Sequence, residues 1–486
     1  AFWLLFALTA ASALLRPLSE PDEARYGEAA REMLISGDYL LPHVSGIIYP
    51  DKPPAVYWIM ALSMKLFGVT AAAIRLPSVL AMGAILLLLK RYCERRHRSQ
   101  NETTVCLLIC ASNLMFLALG QLATLDMVLS LLVCSALLCG RDWIEGGKTS
   151  NAWWCGLSLG LTILIKGPIG LLLVMLILGT YAAFPTTPTR GRRLLHPALW
   201  LPILSIGMAW FFLAAAQVPE LWDFWLGREL VDRLVSNSHA REQGWWFFPL
   251  LTLLSALPWL IGLLAKGKPT PPKNSDSIAR KDIIFHAAWI LIPIVVFSIP
   301  SGKQPAYLAP ALPGLALLLA PYWARTVMHR RFNLLLTGWI ALIAVSLAWH
   351  LEPINTRSED RASQQLLASE GADWQGAQLD AWSYGLGFQL QRYDLAAHNT
   401  RPSTWTFSRE YLGTNPELFK RDLHQEDSLN LLGGAQAAFL LVHDRNPQRR
   451  EETVKSLEQL CTNRIYRGVE GRHSILLANR PLRQLQ

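Results

Sequence analysis

The sequence predicts a mainly α-helical, polytopic membrane protein that ends in a small soluble α/β domain. Three observations carry that expectation. The 486-residue chain is 52% hydrophobic and only 17% charged, which is apolar for a soluble protein of this size. Its apolar residues cluster into stretches of about 15–20 residues with almost no charge, the length that crosses a bilayer core as helix. After about residue 350 those stretches stop and the charge rises.

The apolar stretches come in order at 1–15, 71–89, 103–120, 127–140, 152–165, 168–184, 197–217, 246–265, 283–299, 306–323 and 333–350. A soluble core helix would keep a polar stripe, and Leu171–Thr180 and Leu334–Leu347 have none. The run 55–68 is short and follows Pro53-Pro54, so it is expected to lie in the interface or re-enter. Ala1–Leu15 has the signal-peptide core as its alternative. A first membrane helix lacking a few N-terminal residues is preferred, because nothing after it resembles a small-residue cleavage site.

Charge sets direction. The net charge is +9, but the basic residues sit in short loops between apolar runs, so membrane orientation explains them better than nucleic-acid binding. Lys90–Arg98 has five Lys/Arg against one Glu. Arg190, Arg192 and Arg193 share a second loop, Lys266–Lys281 contains five more, and Arg325, Arg330 and Arg331 lie in a fourth. All four are expected on the cytoplasmic side, and an even number of crossings separates every pair. The segments 16–70, 121–126, 166–167, 218–245 and 301–305, with the tail, then face outward. The tail has short β-like runs, Ala437–Val442 and Ser474–Ala478, beside the helical pattern Glu452–Leu460. The expected division is a transmembrane domain at 1–350, with outer loops 16–70 and 218–245, and an α/β domain at 351–486 that caps or stabilises it.

The chemistry-bearing residues gather in the outward segments. Asp22, Glu23, Arg25 and Tyr26 follow Pro21 within about one helical turn, a good helix start with dipole-favoured carboxylates. Tyr49-Pro50-Asp51-Lys52-Pro53-Pro54 is a stiffened loop in which Lys52 suits a phosphate at a membrane surface. Asp126, Lys166 and Lys303 sit at the ends of apolar runs, where ionisable groups are costly and functional candidates by default. Glu229, Arg233 and His239 follow in the loop 218–245. The seven cysteines lie mostly in or beside apolar runs and read as small buried hydrophobes, with neither disulfide nor metal expected. There is no HExxH, no paired CxxC and no GxGxxG in a strand–helix setting. A metalloprotease or a soluble nucleotide-sugar enzyme finds no support.

Asp22-Glu23-Ala24-Arg25-Tyr26, Asp51-Lys52-Pro53, Leu125-Asp126, Lys166-Gly167 and Gly302-Lys303-Gln304-Pro305-Ala306-Tyr307 together resemble the membrane glycosyltransferases of the GT-C superfamily. The resemblance is to the branch related to protein O-mannosyltransferases, and within it to bacterial 4-amino-4-deoxy-L-arabinose transferases that modify lipid A. Phe224-Trp225, Glu229, Arg233, His239 and Trp246-Phe247-Phe248-Pro249 fit that group, as do Tyr384-Gly385, Gln389-Leu390-Gln391-Arg392 and Gly471-Arg472-His473. Ala24 departs from the Thr, and Asp51 from the Glu, expected there.

The resemblance implies a GT-C fold with about 11–13 transmembrane helices and a periplasmic C-terminal domain. It implies transfer of 4-amino-4-deoxy-L-arabinose from an undecaprenyl (polyprenyl) phosphate donor to lipid A phosphate. The place would be the periplasmic face of the bacterial inner membrane, and the outcome resistance to polymyxin and other cationic peptides. The alternative is a hexose or hexosamine passed to lipid A, O-antigen or another glycan. A transporter or flippase would need a charged path through the membrane centre and internal symmetry, and the sequence has neither. By the same resemblance Asp22, Glu23 and Asp126 are catalytic. Arg25, Tyr26, Lys52, Lys166, Lys303 and Tyr307 would bind the donor phosphate, and Glu229, Arg233 and His239 would contact the acceptor or support the site. A phosphate acceptor, with a second pKa of about 6, needs less help from a base than a sugar hydroxyl does. The expected partners are the lipid-linked donor, the glycolipid acceptor and the surrounding lipids, with no cofactor, no metal, no nucleic acid and a monomeric state.

Overall fold

The computed structural model describes residues 2–16, 18, 22–44, 47–184, 189–227, 243–257, 259–260, 276–300, 302–324, 337–339, 341–342, 359–369, 374–379, 396–398, 422–423, 432, 436–443, 447–461, 464–470 and 474–483. The chain divides into two compact units. One comprises Ala1–Leu15, Asp51–Val56 and Arg75–Trp349; the other comprises Arg16–Pro50, Tyr57–Ile74 and His350–Gln486.

The first unit is helical. Its described elements are α1 (Phe2–Leu15), most of α4 (Ala71–Arg95), α5 (Gln100–Ala111), α6 (Leu114–Gly120), α7 (Asp126–Ile144), α8 (Thr149–Lys166) and α9 (Ile169–Ala183). They continue with α10 (Thr189–Arg193), α11 (Pro197–Gly207), α12 (Ala209–Gln217), α13 (Phe247–Ser255), α14 (Asp276–Ser298), a 3-10 segment (Pro305–Ala311) and α15 (Leu312–Ala324). Five described stretches are long and apolar enough to cross a membrane: Ala71–Arg95, Asp126–Ile144, Gly191–Gln217, Arg280–Ser298 and Pro305–Ala324. The chain is thus a multi-pass membrane protein. The expected span 333–350 lies almost wholly outside the described residues, and the run 55–68 forms the 13-residue helix α3 (Ala55–Phe67), too short to cross straight.

The expected single span at 103–120 is instead a broken one, bent by 64° between α5 and α6. Asn113 makes the break. Its Oδ1 accepts from the backbone N–H of Met115 and Phe116, capping α6. Its Nδ2 donates to the Ser255 carbonyl at 2.7 Å, and Trp259 donates to Ser112 Oγ at 3.0 Å. The N–H groups of Met115 and Phe116 and the Ser112 carbonyl, which accepts from Trp339 Nε1 at 3.1 Å, are thus met inside the protein, as the bilayer core demands.

Small residues set the closest helix contacts. Gly156 and Gly160 on α8 admit the backbone of α11. A Cβ at Gly160 would lie 2.7 Å from the Pro202 carbonyl, and one at Gly156 would strike the Leu199 carbonyl. This is the small-xxx-small spacing that packs helices where lipid gives no hydrophobic drive.

At one end of α4, α7, α9 and α14 lies a polar network. Arg141, 1% exposed, bonds Asp282 and Tyr92, and its Nε reaches Glu145 at 3.2 Å. Arg96 binds Glu145 at 2.6 Å and Asp142 at 2.9 Å, Arg98 binds Asp282 at 2.8 Å, and Tyr181 donates to Glu145.

The second unit holds α2 (Asp22–Ser36), the antiparallel pair β1 (His43–Val44) and β2 (Ile47–Ile48), most of α3, and the C-terminal sheet. That sheet is formed by β3 (Gln375–Leu379), β4 (Ala396–His398), β5 (Asp422–Leu423), β6 (Ala438–His443), β7 (Tyr466–Glu470) and β8 (Ser474–Ala478), in the order β5-β4-β3-β6-β8-β7. Strands β5, β4, β3 and β6 run parallel, and β8 is antiparallel to both β6 and β7. Alternation along β6 places Phe439 in one core with Ala362, Leu366 and Leu476. Leu440 and Val442 enter the other, with Val454, Leu457, Ile475 and Leu477. Helix α16 (Glu359–Ala368) supplies the first core and α17 (Pro447–Leu460) the second. A strand buried on both faces has no polar side to show, which is why these two strands read as continuous apolar runs.

Candidate functional site

In the first unit, helix ends bring three of the expected residues together. Asp126 opens α7, where the helix dipole favours a carboxylate. Lys166 closes α8, where the dipole favours a cation. Gly167 follows at φ +72° and ψ −158°, a conformation essentially confined to glycine, and Pro168 leads into α9. Lys166 Nζ donates to Asp126 Oδ1 at 2.6 Å, with the two side chains 15% and 11% exposed. The same ammonium lies 4.6 Å from the centroid of the Tyr307 ring. That ring is stacked on Phe248 at 6.4 Å and tilted against Phe297 at 5.1 Å. The Tyr307 hydroxyl makes no hydrogen bond among the described residues.

The other two candidate lysines in this unit have backbone partners. Lys303 is buried, and its Nζ donates to the carbonyls of Pro300 at 2.6 Å and Gln243 at 2.8 Å. Lys52 is half-buried and donates to the Asp51 carbonyl at 2.6 Å.

In the second unit, the start of α2 separates its two carboxylates. Asp22 has a 51% exposed side chain and accepts from Arg25 Nη2 at 2.7 Å. Glu23 is 2% exposed, and both of its oxygens accept from Arg16, at 3.2 and 3.3 Å. The Arg25 guanidinium lies 5.7 Å from the Tyr26 ring centroid and 5.8 Å from that of Tyr49, and Tyr26 is buried against Tyr57. One turn on, Glu28 and Arg31 form a bidentate pair at 2.6 and 2.7 Å. Burial pushes the Glu28 carboxyl up, against the pull of Arg31. Burial likewise pushes the His43 imidazole below its ordinary value, partly opposed by the Asp38 carboxylate 4.0 Å away.

Glu229, Arg233 and His239 lie outside the described residues. Sequence reasoning missed Phe297, which looks like any apolar residue in a span, and quoted Phe248 only within Trp246-Phe247-Phe248-Pro249, with no role beside Tyr307. It also missed Glu28–Arg31, although two opposite charges at i, i+3 inside an Ala-rich turn were a visible signal. Among the described residues no three His, Cys, Asp or Glu side chains gather as a metal site.

A family model described as dolichyl-phosphate-mannose-protein mannosyltransferase matches residues 51–215. Among curated proteins, the chain is similar to undecaprenyl phosphate-alpha-4-amino-4-deoxy-L-arabinose arabinosyl transferases. The one from Pseudomonas aeruginosa is 30% identical over 404 residues, which is 79% of this chain and 72% of that protein. Those of Serratia proteamaculans and Proteus mirabilis are 28% and 31% identical over 70% and 63% of this chain. The chain spans 63% and 56% of the lengths of these two, less than two thirds of each. Among solved structures, ArnT from Cupriavidus metallidurans bound to undecaprenyl phosphate superposes with a TM-score of 0.79 at 19% identity, covering 98% of this chain and 97% of that one. Its apo state gives 0.73. The GT-C fold is therefore shared with ArnT.

Proposed function

The chain belongs to the family of undecaprenyl phosphate-alpha-4-amino-4-deoxy-L-arabinose arabinosyl transferases, and we propose that it transfers 4-amino-4-deoxy-L-arabinose from undecaprenyl phosphate to a phosphate of lipid A. The observation that carries the proposal is the cation and phenol fixed at the ends of membrane helices, Lys166 over Tyr307. A polyprenyl donor keeps its tail in the bilayer and its phosphate at the edge. That phosphate gains negative charge as the glycosidic bond breaks, and preorganised donors there lower the barrier. In the first unit Lys52 and Tyr307 are assigned to the phosphate, with Lys303 adding positive charge and Lys166 seated over the Tyr307 ring.

In the second unit Asp22 is assigned to orient or deprotonate the acceptor. Its exposure favours it over Glu23, which is buried on Arg16. Arg25 and Tyr26 flank that carboxylate as further polar contacts. Glu229, Arg233 and His239 are assigned to the acceptor. The proposed setting is the bacterial inner membrane, with the chemistry and the domain 351–486 on its periplasmic side. The lipid A product would carry an added amine, and with it resistance to cationic peptides.

The test is transfer by the purified protein in detergent, with undecaprenyl phosphate-linked aminoarabinose as donor and lipid A as acceptor, read by mass spectrometry. The expected product is lipid A heavier by one aminoarabinose. Asp22→Asn is expected to lower the rate by about 100-fold or more if it serves as base, and Lys52→Ala to raise the donor KM. Full activity in both variants would refute the residue assignment; a different added mass would replace the sugar.

A further inference from the structure

The geometry around Lys166 points to a role other than direct contact with a phosphate. Its ammonium is bonded to Asp126 and seated over the Tyr307 ring. To reach an incoming anion it would have to leave a charge-assisted hydrogen bond and a cation–π contact together, and its own charge is already balanced by Asp126. Tyr307 is the reverse case. Its ring is gripped by Phe248, Phe297 and Lys166, while its hydroxyl makes no hydrogen bond among the described residues. The elements that do the gripping are fixed: Asp126 by the start of α7, Lys166 by the end of α8 and the glycine-only turn at Gly167.

We propose that Asp126 and Lys166 are positioning residues that act through Tyr307, holding its ring so that the phenol hydroxyl donates to the phosphate of the lipid-linked donor. This rests on the donor class proposed above. The pair then contributes to donor binding only as far as the Tyr307 hydroxyl does, and Asp126 takes no proton in the reaction.

A double-mutant cycle separates this from independent phosphate binding. Donor KM and kcat are measured for the full-length protein, Lys166→Met, Tyr307→Phe and the double variant, with undecaprenyl phosphate-linked aminoarabinose. Losing a hydrogen bond to a charged group predicts a donor KM raised by about tenfold in Tyr307→Phe. Lys166→Met is expected to match it, and the double variant to stay within about threefold of Tyr307→Phe, because the two changes remove one interaction. Lys166→Arg, which keeps a cation over the ring, is expected to restore most of the loss. Independent effects, multiplying to about 100-fold in the double variant, would overturn the proposal, as would a wild-type KM in Lys166→Met. If Lys166→Met does not fold, Asp126→Asn with and without Tyr307→Phe runs the same cycle: a double variant close to Tyr307→Phe supports the proposal, and multiplying effects overturn it. Failure of the unaltered protein to use this donor at all would refute the proposed function itself, an outcome distinct from a multiplicative cycle in an active enzyme.

Discussion

Single residues here do work that their type alone does not announce. Gly167 is visible as part of the Lys166-Gly167 motif, but its need for glycine comes from φ +72° with ψ −158°. Replacing it by alanine forces strain of about 1–3 kcal/mol at that turn, or moves the end of α8. Gly167→Ala is therefore expected to lower the thermal midpoint in detergent and to raise the donor KM in the same way as Lys166→Met. An unchanged midpoint and KM would show that the turn does not hold the lysine. His43 does not stand out in the sequence, since a lone histidine carries no pattern. Its imidazole is held below the ordinary 6.5 by burial, with Asp38 opposing. Below that pH the unfolded chain takes up a proton that the folded chain resists, so stability falls as the pH drops. Denaturant unfolding compared at about pH 7.5 and about pH 5.5 should show this loss, and His43→Gln should reduce it. An identical pH slope in both proteins would remove His43 from the account.

Elements follow a different logic, because in a bilayer the polar groups that remain must find one another. The apolar runs were legible because length and hydropathy suffice to mark a span. What ties the spans together was not, since Arg96 and Asp282 are far in sequence from each other and from Asp142 and Glu145, and the groups meet only after folding. The break at Asn113 was equally hidden: one Asn in a hydrophobic run does not betray that its side chain caps a second helix. Arg141 is the centre of the network, and its removal leaves Asp282 and Glu145 short of a partner. Arg141→Met is expected to destabilise the protein by about 3–5 kcal/mol, the cost of breaking a buried pair by deleting one side. Asp282 keeps Arg98 at 2.8 Å, so adding Asp282→Asn is expected to cost less in this background than it does alone, because one of its two ion pairs is already gone. Thermal unfolding of both variants in detergent checks this, and additive losses would show that the pair is not coupled.

At the scale of the molecule, α7 links these polar clusters across the membrane. It begins at Asp126 and ends at Ile144, 19 residues, or about 28 Å at 1.5 Å per residue. That matches a bilayer core of about 30 Å. The Asp126–Lys166–Tyr307 group and the Arg141–Glu145 network therefore belong to opposite faces. The network joins the basic loop Lys90–Arg98 to the loop after α7 and to Asp282 in α14, next to the basic stretch Lys266–Lys281; the even count of crossings assigns both basic stretches to one side. This is the part of the architecture that charge and apolar length made legible in advance. The C-terminal sheet was legible only at β6 and β8, whose apolar runs are buried on both faces. The short β4 and β5, of three and two residues, have no periodicity to read. The proposed orientation puts the network side, which is also the basic side, in the cytoplasm by the positive-inside rule. Fusions after Arg98, Arg193 and Arg280 are accordingly expected to fluoresce with GFP and to be inactive with alkaline phosphatase, and a fusion after Gln121 to behave in the opposite way. Alkaline phosphatase activity at Arg98, Arg193 and Arg280 would invert the orientation and place Lys166 and Tyr307 on the cytoplasmic face. An acceptor on the periplasmic face would then be out of reach, so this one measurement bears on the proposed substrate as well as on the topology.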